Sequence, residues 1–100
     1  MSEIKESNLP ENWYLPNGKK LNLLNKELQI EITRGHLLYE KDVIIVAYCD
    51  GSDDILCQHK DKNNFYSLVH LTWSCKPEIN TNYPIVIMQG SFEDFLNYNN

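Results

Sequence analysis

Val43-Ile44-Ile45-Val46-Ala47-Tyr48, then Asp50-Gly51-Ser52-Asp53-Asp54, then Ile55-Leu56-Cys57-Gln58-His59-Lys60 is the stretch that decides the fold. The first run is β-branched and apolar on both faces, the composition of a strand covered on two sides. The middle segment is dense in turn formers and the third resumes an extended pattern, so the three predict a β-hairpin. Asp61-Lys62-Asn63-Asn64 is a second turn of the same kind, leading into Phe65 to Trp73. There the side chains alternate: Phe65, Ser67, Val69, Leu71 and Trp73 share one face, and Tyr66, Leu68, His70 and Thr72 share the other. The result is a three-stranded antiparallel meander. Ser74 to Pro84, with Pro77, Pro84 and no period, reads as a long surface connection. Ile85-Val86-Ile87-Met88-Gln89 is a fourth strand, free to join either edge, and Gly90 ends it. Ser91-Phe92-Glu93-Asp94 has the spacing of a capping box and opens a short C-terminal helix with Phe92, Phe95 and Leu96 on one face.

Before the meander the period is helical. Leu21, Leu24, Leu28 and Ile32 recur at spacings of three, four and four, which at about 100° per residue makes one narrow apolar stripe along a helix from Lys19 to Arg34. Asn17 is the candidate N-cap and Gly35 the stop signal. Leu23 and Ile30 lie on the opposite side and need a cover, either the Trp13-Tyr14-Leu15 segment or a partner. Residues 1–16, with Pro10 and Pro16, read as an irregular arm that lays an aromatic anchor on the domain. Residues 17–98 read as a single α+β domain: an N-terminal helix, the three-stranded meander plus a fourth strand, and a short terminal helix.

Composition sets the function classes. One hundred residues, 42% hydrophobic and 11% aromatic, suffice for one core. The net charge of −5 repels phosphate backbones, and Lys19-Lys20 is the only adjacent basic pair, so nucleic acid is not an expected partner. The run Val43 to Tyr48 is far shorter than the roughly 20 residues of a membrane helix, and the polar start has no signal-peptide pattern, so the expectation is a cytoplasmic protein. Gly18, Gly35, Gly51 and Gly90 are too widely spaced for a phosphate-cradling loop, and there is no Gly-x-Ser-x-Gly. Cys49, Cys57 and Cys75 contain no Cys-x-x-Cys pair and read as reduced thiols. Cys57 and His59 share a strand face and Cys49 could lie across the hairpin, giving three potential metal ligands; the alternative is that they are interior thiols. No cofactor is expected. His70 and Cys75, five residues apart, are roughly 16 Å apart along an extended strand and on opposite faces, which excludes a dyad.

Asp50, Asp53 and Asp54 gather carboxylates at a hairpin tip where a cation or a basic partner could reach them; they lack the alternating ligand array of a helix-loop-helix calcium site. Of the histidines, His36 could cap the helix end, His59 lies near a hairpin end, and His70 is mid-strand beside Tyr66. If that face is not covered by a helix, Tyr66 and His70 form a polar-aromatic recognition patch next to the acidic tip.

The residues Leu28 to Tyr39, with Glu31, Arg34-Gly35-His36 and Leu38-Tyr39, then Asp53-Asp54-Ile55-Leu56, Tyr66 and Val69-His70-Leu71-Thr72-Trp73, resemble a pattern in small standalone bacterial proteins of uncharacterised function. The resemblance covers about Trp13 to Phe95 and carries no catalytic assignment. It implies that the Asp53-Asp54 turn and the His70-Thr72-Trp73 strand end belong to one site. In size and acidity, though not in motif, the chain is also similar to immunity proteins that neutralise bacterial toxins. The expected function is therefore a non-enzymatic cytosolic protein-binding domain in which Asp50, Asp53, Asp54, Tyr66 and His70 meet a protein with a basic surface. Two alternatives stand beside it: a small enzyme or ligand-binding domain using His70 with Asp53 or Asp54, and a homodimer formed through Val43 to Tyr48 with Leu23 and Ile30.

Overall fold

The computed structural model describes residues 4–74, 76 and 82–99. After a single 3-10 turn at Glu6–Asn8 come β1 (Trp13–Tyr14), α1 (Gly18–Glu31), β2 (Val43–Cys49), β3 (Asp54–His59), β4 (Tyr66–His70), β5 (Ile85–Gly90) and α2 (Phe92–Tyr98). The α+β architecture and the antiparallel hairpins match the sequence pattern. The strand count does not: the sheet has five strands in the order β1-β2-β3-β4-β5, all neighbours antiparallel. The additional strand lies inside the segment read as an irregular arm, where Trp13 pairs with Cys49 and Tyr14 with Tyr48. Two residues are too few to show an alternation, which is why the pattern hides it. The strand after the long connection joins the outer edge of β4.

α1 begins where expected. The Lys20 backbone N–H donates to Asn17 Oδ1 at 2.8 Å, satisfying one of the orphan donors of the first turn. It ends three residues before Arg34, because Ile32 already has an extended backbone. Gly35, at φ 98°, instead serves the turn that follows, which feeds His36 and Leu38 into the interior.

The sheet separates two cores. Under α1 lie Leu24, Leu28, Leu38, Ile45, Ile55, Cys57, Val69 and Leu71, with Leu21 and Ile32 of the helical stripe packed against them. On the other face lie Trp13, Ala47, Leu56, Tyr66, Leu68 and Phe95 under α2. Each fully buried aliphatic or aromatic side chain here contributes about 1.5–3 kcal/mol relative to leaving it in water. Trp13 is the anchor the arm was expected to supply, edge-on to Phe95 at 4.9 Å. It anchors the α2 side, so it does not cover the back of α1, and Leu23 stays exposed. A bulge between Ile45 and Ala47 sends these two residues to opposite cores despite their even spacing. Past the bulge Cys49 packs with the α2-side core while Cys57 lies under α1, so Cys49, Cys57 and His59 are not brought together.

Candidate functional site

The first residue of β3 and the last of β4, Asp54 and His70, are register partners at the end of the sheet from which the β2–β3 hairpin tip projects. Their side chains lie on the α2 face. Further along that face α2 seals Tyr66 and Leu68, but at the sheet end it opens: the His70 side chain is 44% exposed and Asp54 25%. His70 Nδ1 stands 2.7 Å from Asp54 Oδ1. The carboxylate can only accept, so Nδ1–H donates, the ring is oriented, and Nε2 is left to meet an incoming group.

The backbone around this pair is tied down. Leu71 N–H donates to the Asp53 carbonyl at 3.0 Å, Asp50 N–H to the Asn12 carbonyl at 2.7 Å, and Asp54 N–H to Ser52 Oγ at 3.3 Å. Gly51 occupies the tip at φ 92°, a conformation that suits glycine. Asp50 and Asp53 are exposed. They and Asp54 border a recess of about 120 Å³ whose other walls include Tyr48, Lys20 and Trp73. The Lys20 ammonium lies 4.8 Å from the centre of the Tyr48 ring.

Trp73, with a positive φ of 56° and a half-exposed side chain, is held in place from the opposite helix. Glu31 at the end of α1 accepts the Thr72 N–H on Oε1 at 2.9 Å and the Trp73 N–H on Oε2 at 2.7 Å. Glu31 has no exposed surface and Glu27, one turn earlier, is 3% exposed. Burial, and then the hydrogen bond with Glu27, push the Glu31 carboxyl up to about 6, against the lowering effect of the two backbone amides. Reading only the apolar residues of α1 passes over Glu27 and Glu31. The signal that finds them is that Leu24, Glu27, Leu28 and Glu31 follow the i, i+3, i+4, i+7 rule of a single buried face.

The remaining sequence-predicted groups lie elsewhere. Tyr66 is inside, its ring 5.8 Å from that of Phe92, and burial pushes its phenol up, so it offers no surface next to His70. His36 does not cap α1. It is buried, accepts the Leu38 N–H on Nδ1 at 2.9 Å and donates from Nε2 to the Pro84 carbonyl at 2.6 Å. Both nitrogens are therefore committed, although His36 lines a cavity of about 540 Å³ with Leu37, Tyr83 and Ile85. His59 is buried against Ser67. Cys75 lies outside the described residues. Among the described residues no three His, Cys, Asp or Glu side chains come together as a metal ion would need, and no helix is long and apolar enough to cross a membrane. In comparison with known proteins the chain matches no family model, no curated protein and no solved structure, which leaves the geometry of this sheet end as the ground for a functional reading.

Proposed function

We propose that the protein is a non-enzymatic, cytosolic protein-binding domain whose acidic sheet end receives a basic surface of a partner; neutralisation of a basic toxin or effector, as an immunity protein does, is its most concrete form. The observation that supports it is that Asp50, Asp53 and Asp54 all border one recess at the sheet end, which Trp73 also walls, while the Asp54 side chain meets His70 on the α2 face of the same end. Carboxylates at the rim steer a cationic partner and disfavour acidic ones, while an indole supplies the apolar contact on which affinity at such patches concentrates.

The test is a titration of the labelled protein, followed by NMR, with a hexapeptide of alternating arginine and glycine as the probe. Shifts are expected at residues 50–54, His70 and Trp73. Each exposed ion pair is worth about 0.2–1 kcal/mol, so Asp53→Ala with Asp54→Ala together weaken binding by about two- to thirtyfold. Glu93→Ala with Asp61→Ala removes the same charge from exposed positions at the other end of the sheet and leaves affinity nearly unchanged. Equal losses from the two double variants would mean that the peptide senses only net charge, and the reading fails.

The 2.7 Å His70–Asp54 bond also supports a second reading, in which His70 Nε2 moves a proton on a bound small molecule. This reading expects His70→Gln to abolish a turnover that the tip substitution Asp50→Ala leaves intact; a screen of ester and amide substrates showing no turnover by the parent protein removes it.

A further inference from the structure

The chain contains two pairs in which an Asn or Asp precedes glycine, Asn17-Gly18 and Asp50-Gly51. In such a pair the glycine nitrogen can attack the Cγ of the residue before it and close a five-membered succinimide ring, because these short side chains reach their own backbone and a following residue without a Cβ leaves that nitrogen least hindered. At Asp50 the new bond joins the Gly51 nitrogen to Cγ, and a carboxyl oxygen leaves as water with the protons of the amide and the carboxyl group. Water that reopens the ring at the former main-chain carbonyl returns the same atoms as an isoaspartate, with the chain now running through Cβ and Cγ. At Asn17 the group that leaves is ammonia, and the reopened ring is an aspartate or isoaspartate. Sequence alone ranks Asn17 first, since a neutral amide is a better electrophile than an ionised carboxylate.

The fold works against that ranking. Asn17 is the N-cap of α1: its Oδ1 accepts the Lys20 N–H at 2.8 Å and its main-chain carbonyl accepts the Leu21 N–H at 2.7 Å. Turning its Cγ onto the Gly18 nitrogen breaks the cap. Asp50 is exposed in the turn that Ser52 N–H closes on the Cys49 carbonyl at 3.5 Å. It is held there through main-chain atoms, its N–H on the Asn12 carbonyl and its carbonyl under the Cys49 thiol at 3.7 Å. Among the described residues no hydrogen bond or ion pair engages the Asp50 carboxylate or the Gly51 N–H. The space beside Gly51 is open as well: a Cβ there would meet nothing within 4 Å.

We propose that Asp50 is a site of spontaneous isoaspartate formation that folding leaves open, while the same fold shields Asn17. The change lengthens the main chain at the hairpin tip by one carbon and moves a carboxylate of the recess. That this weakens the binding of a basic surface rests on the reading above; the modification itself does not, because it is measured with no partner present.

The experiment sets identical chemistry at the two places. In Asp50→Asn both pairs are Asn-Gly, and deamidation at each is followed by peptide mapping and mass spectrometry of the full chain, folded in buffer and unfolded in urea. Unfolded, the two positions are expected to react at similar rates. On folding, position 50 is expected to keep its rate within about twofold and position 17 to slow about tenfold, the factor that a cap of ordinary strength represents. The folded parent is expected to accumulate isoaspartate at Asp50 at close to its unfolded rate, seen as a peptide of unchanged mass and altered retention. Gly18→Ala, whose Cβ meets nothing within 4 Å, silences position 17 and leaves position 50 as it was. Equal slowing of the two positions on folding overturns the proposal, as does a folded parent that forms no isoaspartate at Asp50 while the unfolded chain does. Should Asp50→Asn lose its urea transition, the parent measurement decides alone. Selective reaction at position 50 together with a failed peptide titration leaves the modification standing and removes only its bearing on binding.

Discussion

Ser67 has no exposed surface, and its hydroxyl is used twice: Gln89 Nε2 donates to Oγ at 2.9 Å, and the hydroxyl donates onward to His59 Nε2 at 2.7 Å. Ser67→Ala leaves both partners short inside the sheet, with an expected loss of about 1–3 kcal/mol in urea unfolding. The chain of bonds also fixes the proton of His59 on Nδ1, and burial pulls that imidazole's pKa below 6.5. Its contribution is present above the ordinary histidine range and is lost as pH falls through it, because the unfolded chain then binds the extra proton. Glu31 acts in the opposite sense. Its folded pKa of about 6 exceeds the unfolded 4.5, so the folded state gains as pH falls from about 6 towards 4.5, by about 2 kcal/mol over the full window. Urea midpoints of the parent and Glu31→Gln across about pH 4.5–7.5 check the sign: the parent's advantage over the variant should grow on the acid side. Of these residues, sequence marked His59 as lying near a hairpin end. It could not mark Ser67 as its partner, because their pairing depends on the register of two strands.

At the scale of elements, α2 shows how short-range chemistry fixes a boundary. Asp94 N–H donates to Ser91 Oγ at 3.1 Å and Ser91 N–H donates to Asp94 Oδ2 at 3.0 Å, the reciprocal pair that the spacing of Ser91 and Asp94 announces. The box sits so close to the preceding glycine that a Cβ on Gly90 would meet Asp94 Oδ2 at 2.5 Å. Gly90→Ala therefore displaces the capping carboxylate, with an expected cost of about 0.5–2 kcal/mol by thermal melting. Caps, turns and hairpins were legible because their determinants lie within four or five residues of each other. The early end of α1, the bulge in β2, and β1 were not, because each answers to a distant segment. Asp54 and His70 were both singled out, and the residues around them were suggested as one site; the 2.7 Å bond needed the register. Tyr66 was read as surface because its alternation is right but the face it marks is sealed by α2.

Over the whole molecule the two cores share the sheet as their common wall, so the arm is structural rather than decorative. Trp13 closes the α2-side core against Phe95, and Trp13→Ala is expected to cost about 3–5 kcal/mol in urea unfolding, as large as any central substitution. Exposed apolar groups outside the recess, Leu23 and Ile44 among them, are set against charged neighbours in sequence such as Asp42 and Lys26. Self-association through a standard interface of about 1,600 Å² would need them to merge into a larger apolar patch. Light scattering over a dilution series is expected to return the monomer mass of 11.7 kDa.

The two tryptophans of the chain live in unlike surroundings, one edge-on to a phenylalanine in the interior and the other beside carboxylates at the rim. Their emission should therefore divide into a blue component that acrylamide barely quenches and a redder one that it quenches readily. Only the second should respond when something settles at the acidic end, which turns the protein's own fluorescence into a position-specific reporter that needs no dye.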